Sequence, residues 1–206
     1  MLVELHCHTR RHSSCSRLEP ESAVREAVAR GLQGLLLTEH GYWWPDDELA
    51  ALRAAAGVPE HFVLLAGQEV ETELGHVLVI GVTLSLPEQY RVADLRRRFP
   101  DAALVRAHPW RGGGSPGDPG LQHPAFAAVE VFNRNQCPAE NIAALRAWHR
   151  LRFTATAGSD AHLPGQVGTF PTLFDHPVTT VAALAAELHA GRCRPLCKEI
   201  ARAGST

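Results

Sequence analysis

His6 and His8 stand one residue apart, directly after the apolar run Leu2–Leu5. Side chains at i and i+2 of a strand point to the same side, so both imidazoles can converge on one cation. Asp160 and His162 repeat the spacing after another apolar run, Phe153–Ala157. Other short apolar runs also end in ionisable residues. Gly34–Thr38 is followed by Glu39 and His40, Phe62–Ala66 by Gly67, Gln68 and Glu69, and Ala102–Ala107 by His108. Glu130 lies near the end of Ala127–Phe132, just ahead of Asn133. Imidazole nitrogen and carboxylate oxygen are the ligands that Zn²⁺ and its neighbours take at about 2.0–2.2 Å. A carboxylate such as Glu69 can bridge two cations. Glu69, Glu130 and Asp160 would only partly neutralise two or three divalent ions, which leaves positive charge for an anionic substrate.

These groups need a scaffold that brings strand ends together. Strand-like runs alternate with helical patterns along most of the chain. A helix begins at Pro20, with Val24, Ala27 and Val28 on one face, and ends at Gly31. Asp46–Ala56 is a short Ala-rich helix, and His76–Val82 a further strand. Pro87–Arg98 reads as a helix with a basic end. Glu140–His149 reads as another, with Ile142, Leu145 and Trp148 on its apolar face. Val181, Leu184, Ala185 and Leu188 mark a last helix, closed by Gly191. The order predicts an α/β fold with a largely parallel sheet, whose strand ends open onto one face. The chain is short for a full (β/α)8 barrel of about 250 residues, so a distorted or incomplete barrel is expected. The Gly- and Pro-rich stretch Gly112–Gly120 reads as a mobile loop beside that face.

Composition narrows the function class. The chain has 206 residues, a formal net charge of -2 and 45% hydrophobic residues, which fits one ordinary globular domain. That charge argues against a nucleic-acid backbone or an anionic membrane as main partner. No apolar run approaches the roughly 20 residues of a membrane span. Five Cys occur without a CxxC, and the N-terminus carries no leader pattern, so a cytoplasmic setting is expected. The 12 His are the unusual count, and their positions rather than their number point to metal.

His6-Cys7-His8-Thr9, Thr38-Glu39-His40, Gly67-Gln68-Glu69, His108-Pro109 and Ser159-Asp160-Ala161-His162, taken in order, resemble the motifs of the polymerase and histidinol phosphatase (PHP) superfamily of metal-dependent phosphoesterases. The resemblance runs from about Leu2 to Arg194. It implies a distorted (β/α)7 TIM-like barrel formed as a single PHP-like domain over residues 1–206, with two or three divalent ions (Zn, Mn or Fe). Carried over, His6, His8, Glu69 and Asp160 look like a first metal site, and Glu69, His108 and Glu130 like a second. His40 and His162 look like a third, with one further ligand from the segment after His8. His12 and Cys15 are both chemically able there; Cys15 sits nearer the family position if one residue is inserted, and a thiolate would favour Zn²⁺. Glu4 and Glu39 stand where the family usually has Asp, as acceptors for imidazole N–H groups.

The activity implied is hydrolysis of small phosphomonoesters or short nucleotide phosphodiesters by a metal-bridging hydroxide. Asp160, His40 and His162 are the candidate catalytic residues, either histidine supplying a proton if the third metal is absent. Arg10, Arg111 and Arg134 adjoin the motifs and could clamp phosphate. The expected partner is a small phosphorylated molecule, nucleotides and short oligonucleotides included, without a stable nucleic-acid complex. Two other readings compete: an amidohydrolase-like metal hydrolase and a non-catalytic metal-binding PHP module. The former often carries a carboxylated lysine on a middle strand, whereas the single Lys here is Lys198. Trp43 and Trp44 read mainly as packing over the rim, with stacking on a substrate ring as the alternative. His76 reads as a supporting residue.

Overall fold

The computed structural model describes residues 1–114 and 118–197. One nine-stranded sheet runs in the order β7-β6-β5-β4-β3-β2-β1-β8-β9. Its strands are β1 (Leu2–Glu4), β2 (Gly34–His40), β3 (Val63–Thr72), β4 (Gly75–Ile80), β5 (Ala103–Arg106), β6 (Ala128–Asn133), β7 (Ala155–Gly158), β8 (Thr172–Phe174) and β9 (Cys193–Pro195). The helices are α1 (Pro20–Ala29), α2 (Asp46–Ala56), α3 (Val92–Arg98), α4 (Pro138–Leu151) and α5 (Val181–His189). The sheet curls until its two sides nearly meet. Cys7, just past β1, bridges in parallel to Ala161, just past β7, and Thr172 on β8 exchanges hydrogen bonds with the backbone of Ala157. The fold is thus mixed α/β with a nearly closed, barrel-like sheet. No helix among the described residues is long and apolar enough to cross a membrane.

Both faces of the sheet are buried, which is why its strands read as continuous apolar runs. Val3, Leu36, Leu65, Leu78, Ile80 and Val105 fill the interior, and Phe174, Leu184 and Leu188 close one end, the last two from α5. On the outside, Leu35 and Leu37 pack under α1 and α2, Val77, Val79 and Leu104 under α3, and Val129 and Val131 under α4. The period of two then carries chemistry to the open end. Thr38 and His40 continue the face of Leu36, Gly67 and Glu69 that of Leu65, Glu130 that of Ala128, and His76 precedes Leu78 on the same face.

Several sequence expectations need correction. The sheet is not largely parallel: β3 pairs with β4, and β4 with β5, in antiparallel fashion. The third strand does not end at Ala66 but runs through Glu69 to Thr72 and turns back tightly into β4. Because β4 runs the other way, its start lies level with the ends of its parallel neighbours. The α3 helix begins at Val92 rather than Pro87. The three-residue strands β8 and β9 are too short to show a period. In α4 the apolar face is reversed, with Ile142 50% exposed and Leu145 37% exposed, while Ala144 and Ala147 are buried. Small side chains let the helix lie close to the sheet and turn its larger residues outward. Of the Gly112–Gly120 stretch, residues 115–117 lie outside the described residues. The rest is tied down: Gly112 and Gly113 donate to Glu140, and Asp118 caps the turn Pro119–Gln122.

Candidate metal centre

The open end of the barrel gathers three groups of donors. His6, His8 and Asp160 form one, His6, Glu69 and His108 another, and His8, His40 and His162 a third; within each, the donor atoms lie within 4.8 Å of one another. His6, His8, Glu69 and Asp160 are almost fully buried, and His40 and His162 stand at the rim. The groups are contiguous. The His6 and His8 Nε2 atoms are 3.1 Å apart, and each lies 3.4 Å from Asp160 Oδ1.

Glu69 links the groups. Its Oε2 lies 3.4 Å from His6 Nε2, 3.1 Å from His8 Nε2 and 3.6 Å from His40 Nδ1. Its Oε1 faces the other way, 3.2 Å from His108 Nε2 and 2.9 Å from His76 Nδ1. Asp160 is polarised similarly, with Asn135 donating to its Oδ2 at 2.9 Å and Arg111 at 3.3 Å, so that Oδ1 faces the histidines.

The surrounding hydrogen bonds fit a cation. Glu130 Oε1 lies 3.2 Å from His6 Nδ1, Ser13 Oγ 3.4 Å from His8 Nδ1, and the Asp160 carbonyl 2.8 Å from His162 Nδ1. With Nδ1–H donated outward, each ring presents an Nε2 lone pair inward, which is how metal-binding histidines are commonly oriented. Ionisation points the same way. Burial pushes His6 down, but Asp160, Glu69 and Glu130 outweigh it and hold the ring well above the usual imidazole range. Burial likewise opposes ionisation of Glu69 and Asp160; the field of His6 and hydrogen bonds from neighbouring histidines nevertheless hold both carboxyls well below their usual range. The proton on His6 occupies the place of positive charge that a divalent ion would take over.

The placement of the remaining expected residues varies. Glu130 belongs to none of the three groups: its Oε2 accepts from the His108 N–H at 2.8 Å and from Asn133 at 2.9 Å, and its Oε1 faces His6. Its two oxygens thus stand behind His6 and His108. Cys15 also stands apart. The turn after His8, closed by Ser13 N–H to the Thr9 carbonyl at 3.0 Å, tucks Ser13 and Ser16 inward and leaves Cys15 exposed. His12 stacks on Tyr42, with ring centroids 3.6 Å apart, away from the donors. Glu4 and Glu39 do not accept from imidazoles. Glu4 receives the His6, Ser159 and Gly168 N–H groups and the Ser159 hydroxyl. Glu39 receives Thr9 and Ser13 hydroxyls, each at 2.5 Å, and reaches His8 only through Ser13. Trp44 is fully buried, its indole N–H donated to Glu39 at 3.1 Å, so it packs rather than stacks on substrate. Arg111 reaches the site, while Arg10 pairs with Glu19 at 2.6 Å and Arg134 is exposed. Burial and the nearby His8 push His40 down to about 4 and lower His162 as well. A neutral His40 ring near pH 7 has a lone pair free for a ligand's role. His76 enters the site because β4 is antiparallel, a direction that a single apolar run does not reveal.

Two site residues are held in the left-handed backbone region, His108 at φ 30 and Asp160 at φ 48. Such conformations cost a non-glycine residue about 1–3 kcal/mol each and persist only where the surroundings impose them. Here they turn the two side chains into the mouth as their strands end.

Comparison with known proteins bears on this arrangement. The family model described as PHP-associated (PHP_C) matches residues 138–193, a segment that includes Asp160 and His162. No curated protein matches the chain. Among solved structures, PsfC from Pseudomonas syringae is similar in fold, with TM-score 0.69 and 20% identity over 95% of this chain and 91% of PsfC. A candidate metal-dependent phosphoesterase from Bifidobacterium adolescentis gives TM-score 0.59 and 15% identity over 90% of this chain and 95% of its own. An amidohydrolase from Chromobacterium violaceum, with sulfate bound and no metal, gives TM-score 0.58 and 19% identity over 95% and 97%.

Proposed function

We propose that this chain, a member of the PHP superfamily, is a metal-dependent hydrolase of phosphoester bonds. The observation that carries the reading is Glu69, whose two oxygens face two different donor groups. Glu69, with His6, His8 and Asp160 beside one oxygen and His108 beside the other, would help to hold divalent ions. Divalent ions there would supply Lewis acidity and a water acidic enough to ionise near neutral pH.

The chain's own contribution is preorganisation. Glu130, Ser13 and the Asp160 carbonyl orient the rings of His6, His8 and His162. Asn135 fixes the Asp160 carboxylate. Burial keeps bulk water from the inner donors, and the rim histidines leave the mouth open to substrate. The gathered donors are nitrogen and oxygen only, which suits Zn, Mn or Fe without the thiolate bias that Cys15 would have added. Small phosphomonoesters and short nucleotide phosphodiesters are the substrate class. The amidohydrolase-like alternative has less support, because the chain's single Lys is Lys198 and no strand among the described residues carries one.

Elemental analysis and thermal melting in a chelator test the reading. Metal bound at 100 times its Kd stabilises the native state by about 2.7 kcal/mol. For a chain of this length that corresponds to a Tm rise of roughly 5–10 °C on adding Mn²⁺ or Zn²⁺ to stripped protein. Hydrolysis of para-nitrophenyl phosphate should vanish in chelator and return with metal. Protein that takes up no metal and melts at the same temperature in chelator and in Mn²⁺ would rule the proposal out.

A further inference from the structure

The turn from the end of β6 into α4, Asn133-Arg134-Asn135, leads by hydrogen bonds into all three donor groups. Asn133 is buried. Its Nδ2 donates to Glu130 Oε2 at 2.9 Å, and the other oxygen of Glu130 faces His6 Nδ1. Its Oδ1 accepts the Asn135 N–H at 2.8 Å. Asn135 itself is exposed, yet its Nδ2 donates twice to one residue. It meets the Asp160 carbonyl at 2.9 Å and Asp160 Oδ2 at 2.9 Å, an oxygen that Arg111 reaches only at 3.3 Å.

Asp160 needs such a hold. Its backbone is left-handed, at φ 48, where an aspartate persists only if its surroundings impose it. The peptide joining Asp160 to Ala161 is gripped from both sides. Its N–H donates to the His6 carbonyl across a long 3.3 Å. Its carbonyl accepts from Asn135 and, at 2.8 Å, from His162 Nδ1, a bond that leaves Nε2 as the ligand nitrogen of that ring. One carboxamide therefore sets two things. It sets the angle of the peptide on which His162 leans. It also sets the direction of the Asp160 carboxylate, whose Oδ1 lies 3.4 Å from Nε2 of both His6 and His8.

We propose that Asn135 is a positioning residue that aligns the first and third donor groups together, so that its loss weakens metal binding at both. The proposal rests on the hydrolase reading for its effect on turnover, whereas its effect on metal needs no turnover. Asn135 acts through Asp160 rather than on the substrate. Its exposure makes the effect diagnostic. Substitution of an exposed side chain that orients nothing usually leaves a protein nearly unchanged. Loss of a group that orients a metal ligand lowers metal affinity or activity by about 10- to 100-fold.

Two variants separate donation from shape. N135A removes both N–H donors, and N135D keeps the outline while turning a carboxylate toward the Asp160 oxygens. Co²⁺, whose visible absorption reports the geometry of its ligands, is titrated into stripped wild type and both variants. Bound metal is counted by elemental analysis, and hydrolysis of para-nitrophenyl phosphate is measured on the same samples. N135A is expected to melt like wild type without metal. Both variants are expected to bind Co²⁺ roughly 10- to 100-fold more weakly, at more than one ion, with an altered spectrum and a parallel fall in kcat/KM. Wild-type affinity and spectrum in either variant would overturn the proposal. A loss confined to one ion would overturn the joint role, and a metal-free N135A that melts well below wild type would mark a general loosening instead. If metal binding depends on Asn135 in a wild type that hydrolyses no phosphoester, the positioning role stands and the hydrolase reading falls. A wild type that takes up no Co²⁺ overturns both.

Discussion

Glu69→Gln is expected to lower kcat/KM for phosphoester hydrolysis on the order of 10³-fold, about 4 kcal/mol of transition-state stabilisation. The size follows from the position of the side chain. Each Glu69 oxygen faces its own set of histidines, so the amide removes one charge from two donor groups at once. It also leaves an NH₂ group aimed at one of those sets, where it cannot ligate a cation. The shape is nearly conserved, so the fold should survive, and near-UV circular dichroism on the same sample checks that. Steady-state assays at saturating Mn²⁺ distinguish weakened metal uptake, which added metal would partly rescue, from loss of the shared carboxylate itself, which it would not. Retention of more than a tenth of wild-type turnover would remove Glu69 from the centre of the proposal.

Gly158→Ala should give the largest loss of stability. Gly158 ends β7 where the backbone passes directly behind the site, and a Cβ there would overlap Glu130 Oε1 and the Cβ of His6. Both neighbours are buried and held by several bonds, so neither can step aside cheaply. Overpacking of this kind costs about 1–3 kcal/mol, and displacing the Glu130 brace adds to it. A fall in Tm of roughly 5–10 °C is expected for a chain of this length. Because Glu130 orients His6, metal affinity should fall as well. A differential scan without metal and a Mn²⁺ titration measure the two effects separately. A variant that melts like wild type would mean that the β7 end can shift outward.

Much of the site's placement was legible because a strand writes its geometry into its sequence with a period of two. His6 and His8, or Asp160 and His162, share a face by that spacing alone, and apolar neighbours mark which runs are strands. What was not legible depended on direction and close approach. The antiparallel course of β4 is invisible in His76–Ile80, yet it decides that His76 meets Glu69. The turn that buries Ser13 and exposes Cys15 depends on backbone hydrogen bonds from Ser13 N–H to the Thr9 carbonyl and from Ser16 N–H to the Ser13 carbonyl, which residue type does not announce. Glu130 has the chemistry of a ligand, and only the structure reveals that both its oxygens are engaged, Oε1 with the His6 ring and Oε2 with the His108 N–H and Asn133. In α4 the hydrophobic pattern pointed to Ile142 and Leu145, but alanines pack closest to the sheet, and a scale that ranks by hydrophobicity overlooks them.

The left-handed backbones of His108 and Asp160 bear on how such a protein can change over time. A glycine would adopt either conformation without penalty. The scaffold alone would therefore gain from losing two of the side chains that face its mouth. A population selected in the laboratory for heat resistance, with no demand for turnover, would be drawn toward those two positions and would discard the chemistry as it improved. Selection that also requires turnover must find its stability elsewhere, in the helices and the closed end of the barrel, where no donor is at stake.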